Sequence, residues 1–178
     1  MKKIFWLGIM LLVLVAPASA QLPEKAYFGL FIDEARTNWC VSGAGMQTMY
    51  FIVLPSENGL ICVELSTTLV GTGVSFLAPT WNPDKVDPVM GGFPGDLAVC
   101  FGSCHYDWVT FCSVRMFVDD EDPKSIVIGP YATQPFPNAL DCFGGEDWAT
   151  PFTTFYINGC GPLAVEESSW GAIKSLYE

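Results

Sequence analysis

The sequence predicts an all-β fold, an antiparallel β-sandwich of Ig-like or jelly-roll-like topology with one short C-terminal helix. Three observations carry this expectation. Short runs rich in Val, Ile, Phe, Thr and Tyr recur along the chain, a composition that suits a pleated, half-buried surface. Gly and Pro interrupt these runs about every ten residues. Strands do not alternate with helices, and no amphipathic helical pattern occurs before the last dozen residues.

The N-terminus reads differently. Lys2 and Lys3 precede an uncharged apolar run from Ile4 to Ala16, Pro17 breaks it, and Ala18-Ser19-Ala20 supplies small residues. This is the pattern of a secretory signal peptide over residues 1–20. The run is too short to span a bilayer, which takes roughly 20 apolar residues. No second run is long enough, so the mature chain is expected to be soluble and secreted or periplasmic. Removing the leader takes the formal charge from −11 to −13. That balance argues against nucleic acid and anionic membrane surfaces, whose phosphates would be repelled.

Residues 21–165 hold the expected sandwich. "AYFGLFIDE" (26–34) is a first strand, with Phe28, Leu30 and Ile32 on one face. "QTMYFIVLP" (47–55) is a second, stopped by Pro55. "SENG" (56–59) is a turn whose Asn58-Gly59 pair is a strong hairpin signal. "LICVELSTTL" (60–69) returns from it, with Ile61, Val63 and Leu65 facing one way and Cys62, Glu64 and Ser66 the other. "VSFLA" (74–78) is a strand, and residues 79–96, with four prolines and three glycines, read as a long loop. "LAVCFG" (97–102) and "WVTFCSVRMFV" (108–118) follow, the latter apolar on both faces and therefore central. An acidic turn (119–125), a short strand "IVIG" (126–129), a second long loop (130–151) and a last strand "FTTFYIN" (152–158) complete the domain. In the tail, residues 166–178, Ser168 or Ser169 could cap a helix from Trp170 to about Tyr177.

"GLFIDEARTNWC", the glycine-containing hairpin and the closing "SSWGAIKSLY" together resemble a group of exported bacterial proteins without an assigned activity. The resemblance implies a single β-sandwich domain and an exported location, and carries over no functional residue.

Seven cysteines, Cys40, Cys62, Cys100, Cys104, Cys112, Cys142 and Cys160, read as disulfides in an exported chain, with one left over. Three of them and the sole histidine, His105, crowd the segment "LAVCFGSCHYDWVTFC". Cys100-x3-Cys104-His105 is one residue longer than the covalent haem motif. Cys100, Cys104, His105 and Cys112 could instead supply a zinc site, but adjacent Cys104 and His105 make joint ligation awkward. Disulfide use of at least two of Cys100, Cys104 and Cys112 is the reading preferred. Cys142–Cys160 and Cys40–Cys62 are the further pairings considered.

Other chemistry is thin. One histidine and no G-x-S-x-G leave a catalytic triad without parts. The acidic turn offers Asp119, Asp120 and Asp122 as calcium ligands, though adjacent carboxylates on a turn are more often simply solvated. Trp39, Trp81 and Trp148 fall in expected loops, where aromatic rings can stack on sugars or close the ends of a sandwich. The reading is a secreted interaction or structural domain, not an enzyme, whose partner is a protein or glycan outside the cytoplasm. The alternatives are a carbohydrate-binding module using the three tryptophans, and an exported hydrolase using two of the nineteen acidic residues.

Overall fold

The computed structural model describes residues 22–160, apart from Lys85, Thr133, Phe152 and Thr153. The expected leader and C-terminal helix lie outside the described residues. All regular structure within them is β, in two sheets. The first sheet is built from β1 (Tyr27–Phe31), β3 (Gly45–Leu54), β5 (Val74–Phe76), β6 (Thr80–Trp81), β9 (Val109–Val118) and β13 (Thr150–Pro151). The second holds β2 (Cys40–Val41), β4 (Leu60–Val70), β7 (Val86–Gly91), β8 (Gly95–His105), β10 (Lys124–Gly129), β11 (Asn138–Leu140), β12 (Glu146–Trp148) and β14 (Phe155–Ile157).

In the first sheet β13, β1, β3 and β9 lie side by side, and β5 and β6 both pair with the far edge of β9. In the second, β4 is central. β8 and then β7 lie on one side of it; β10 and β11 share the other. Most pairings are antiparallel. The exceptions are β1 with β13 and β2 with β14, which set early strands parallel to the last ones.

Alternating residues of both sheets fill the space between them. Phe28, Phe51, Phe111 and Val114 from one sheet meet Leu65, Val99, Ile126 and Phe155 from the other in one core. Phe111 of β9 joins the two layers through ring contacts with Phe51 and Phe101, at centroid separations of 5.5 and 6.2 Å. Fully burying each such side chain contributes roughly 1.5–3 kcal/mol.

Local chemistry explains the elements. Asn58-Gly59 turns the β3–β4 hairpin, closed by the Ser56–Gly59 bridge. Gly59 adopts φ 77°, and a Cβ there would come 2.5 Å from Cys142 Sγ and 2.8 Å from the Tyr106 ring. Only glycine meets both demands.

The expected inward face of β4 needs one correction. The register slips between Leu60 and Cys62, so Leu60 takes the buried place expected of Ile61, while Val63 and Leu65 point inward as expected. A matching irregularity opposite Phe51 and Ile52 buries neighbouring Phe111 and Cys112 together. β9 is central in its sheet, as expected. Its outer face is not covered throughout, since Phe117 and Arg115 are exposed.

Two expected loops are partly strand. Residues 79–96 contain β6 and β7, and 130–151 contain β11, β12 and β13. Their prolines and glycines limit the strands to short pieces, all but β11 at sheet edges, where missing N–H donors are tolerated. β2 was not expected, because two residues carry no periodicity.

Candidate functional site

The outer face of the second sheet carries a row of side chains that is exposed at its two ends and buried at Ala98. The register aligns Trp148 of β12, Asn138 of β11, Glu64 of β4, Ala98 of β8 and Met90 of β7 in one row across five strands. Their chain neighbours Val63, Val99 and Ala139 belong to the core, so this row lies on the opposite face. Trp148 and Met90, at its two ends, are 59 % and 60 % exposed. Phe136, fixed between Pro135 and Pro137, stacks on Trp148 with centroids 4.7 Å apart and an interplanar angle of 28°. Val127 of β10 and Val70 of β4 add exposed apolar surface. Between the aromatic pair and Met90 lie Glu64 and Asn138, whose side-chain oxygen is buried without a hydrogen-bond partner.

Six cysteines form three disulfides: Cys40–Cys160, Cys62–Cys100 and Cys104–Cys142. The considered pairings Cys142–Cys160 and Cys40–Cys62 are therefore incorrect. Cys100 and Cys104 both bond, as expected, but to distant partners. Cys62 and Cys100 face each other directly in the β4–β8 register, with Cα atoms 4.0 Å apart. Cys112 alone is free, and it is buried in the first sheet. This disposes of the zinc and haem readings on the donors themselves, because two of the three sulfurs are committed to disulfides and the third lies within the core. Burial also pushes the Cys112 thiol far above its ordinary range. His105 sits edge-on to Phe101 at 5.5 Å.

The three tryptophans expected in loops occupy different settings, and two of them, Trp81 on β6 and Trp148 on β12, are on short strands instead. Trp81 packs against the core from β6. Trp39 is half-buried, and its carbonyl accepts the Tyr156 N–H at 3.1 Å. Trp148 alone of the three is largely exposed. They do not form one platform, because Trp81 and Trp148 lie in different sheets.

The acidic turn is organised around a lysine. The Lys124 side chain is almost wholly buried and pairs with Asp120, while its ammonium donates to the Asp122 carbonyl at 2.9 Å. Asp120 also accepts the Asp122 N–H at 2.9 Å, and its carbonyl accepts from Asn158 at 2.9 Å. The hydrogen bond from Lys124, then that from the Asp122 amide, hold the Asp120 carboxyl below its ordinary value. Among the described residues, no group of three or more His, Cys, Asp or Glu side chains is placed to hold a metal ion.

No family model matches the chain, and no curated protein sequence matches it. Solved structures do match its fold. The sixth cohesin of scaffoldin B from Acetivibrio cellulolyticus, in complex with a Cel5 dockerin mutant, aligns with a TM-score of 0.54 at 11 % identity, over 75 % of this chain and 98 % of that one. A type I cohesin from Clostridium thermocellum, also in complex with a dockerin, aligns with a TM-score of 0.55 at 9 % identity, over 77 % and 94 %. A non-cellulosomal cohesin from the archaeon Archaeoglobus fulgidus gives 0.51 at 8 % identity, over 83 % and 97 %. The class this defines is the jelly-roll sandwich of cohesin domains, of which several neighbours were solved bound to a dockerin protein. At these identities the likeness is one of fold. It favours the jelly-roll alternative among the two topologies expected from sequence.

Proposed function

We infer that this protein is an exported protein-binding module that docks a protein partner on the outer face of its second sheet. Trp148, Phe136 and Met90 would serve as apolar anchors, and Glu64 and Asn138 would fix orientation between them. The observation that carries this reading is the exposed aromatic stack at one end of a register row that ends in exposed Met90. Interfaces concentrate their energy in a few such aromatic and methionine side chains. Dockerin-bound neighbours of the same fold support a protein as the class of partner. Three disulfides suit an oxidising compartment outside the cytoplasm, in keeping with a cleaved leader over 1–20. No helix of the described residues is long and apolar enough to cross a membrane.

The test compares immobilised wild-type protein with Trp148→Ser and Met90→Asp variants against the secreted proteins of the producing organism. The expected result is one defined protein retained by wild type, with affinity falling about thirtyfold in either variant, as for a hot-spot residue. Equal retention by all three proteins would overturn the reading. So would quenching of Trp148 fluorescence by a soluble glycan with no protein retained, which would restore the carbohydrate alternative on that single tryptophan.

A further inference from the structure

Phe143 is 80 % exposed, at the tip of the β11–β12 hairpin, in the sequence Asp141-Cys142-Phe143-Gly144-Gly145. A phenylalanine held in water at a loop tip normally relaxes onto the surface or is replaced by a polar residue. Here the backbone beneath it is fixed on every side. The buried Asp141 carboxylate accepts the Phe143 N–H at 2.8 Å and the Gly145 N–H at 2.7 Å. Asp141 N–H donates to the Gly145 carbonyl at 2.8 Å, and Gly144 N–H to the Asp141 carbonyl at 3.2 Å. Cys142 is bonded to Cys104 of β8, and its N–H reaches the Asn58 carbonyl at 3.2 Å.

Three hairpin ends meet at this point. Tyr106, 51 % exposed between β8 and β9, has its ring against Gly59, which also abuts the Cys142 sulfur. Ser56 of the β3–β4 turn donates to Asp147 at 3.0 Å. The charges on the three ends are of one sign: Glu57, Asp107 and Glu146 are all exposed, and residues 55–59, 105–109 and 140–146 contain no lysine or arginine. A nearby cation, Arg36, lies on the Trp108 ring with its guanidinium 4.5 Å from the centroid.

We propose that this end of the sandwich is a second docking site, in which Phe143, flanked by Tyr106, packs on an apolar helix face bordered by lysine or arginine on a protein partner. Fixing the loop beforehand removes most of the ordering cost of presenting the anchor. The carboxylates on the three hairpin ends favour a positively charged partner and slow approach to anionic surfaces. The site adjoins the Trp148 end of the sheet face, because Glu146 lies two residues before Trp148 on β12 and on the same side of the sheet, but its anchor, Phe143, lies beyond the strands at the hairpin tip.

The folded chain is titrated by calorimetry with an amphipathic Leu–Lys helical peptide and its Leu–Glu counterpart, with phosphatidylcholine vesicles as a third probe. The expected result is binding of the Leu–Lys peptide alone, weakened at least about tenfold (~1.4 kcal/mol) by Phe143→Ser and similarly by the Glu57→Lys/Glu146→Lys pair. Phe117→Ser, on the outer face at the other end of β9, leaves it unchanged. Because Phe143 is exposed, its variant keeps the wild-type melting temperature. Undiminished binding by Phe143→Ser would reduce the effect to net charge and overturn the proposal. Equal binding of the Leu–Glu peptide, or binding to vesicles alone, would overturn it as well.

Discussion

At the scale of single residues, two buried groups set measurable chemistry. Cys112 is sealed between the sheets, and its thiol is held far above the ordinary range by burial. A thiol reagent added to the native protein at neutral pH should therefore find no reactive group, and one per chain after unfolding without reductant. Two or more thiols in the unfolded, unreduced protein would contradict the three disulfides. Lys124 is the second case, a buried ammonium whose charge partner is the more exposed Asp120. The Asp120 carboxyl is depressed in the folded state, so its contribution is present in full above its unfolded pKa, about 3.9. It is lost as pH falls towards the lower folded value. Asp120→Asn should thus lower the denaturant midpoint at neutral pH, and the two unfolding curves should converge as the solution is acidified through that window. A gap that persists unchanged below it would show that the Lys124 pairing is not the cause.

At the scale of elements, the disulfides differ in what they close. Cys62–Cys100 and Cys104–Cys142 each span 38 residues, and Cys40–Cys160 spans 120. In the chain-entropy account, serine pairs should cost about 4 kcal/mol for either short loop and about 5 kcal/mol for the long one. Equilibrium unfolding in denaturant would report the order, and a reversed order would mean that the loops are not what these bonds restrain. The same elements show how far sequence reading reaches. The β3–β4 hairpin was legible because Asn58-Gly59 demands one turn geometry and the flanking residues alternate. The slip that exchanges Leu60 for Ile61 was not, because a bulge leaves the apolar count unchanged and appears only against β8. The short strands β6, β7, β11, β12 and β13 were hidden for a related reason. Their pairing is supplied by longer neighbours, and prolines and glycines suppress any pattern of their own.

At the scale of the whole molecule, the sandwich and its disulfide use followed from composition and from the leader pattern, since both are averages over many residues. The candidate site did not. Trp148 was named for its residue type, but its partner Phe136 and the row through Asn138, Glu64 and Met90 depend on register across five strands. The cysteine partners were equally hidden, since Cys40 meets Cys160 only because β2 lies beside β14.

That last bond has a mechanical consequence. Tension applied between Leu22 and the residue after Cys160 passes from Cys40 to Cys160 through the disulfide, and the 120-residue span between them carries no load. Stretched under oxidising conditions, the molecule would yield only its short leading segment. Under reducing conditions it would release about 400 Å more of extended chain.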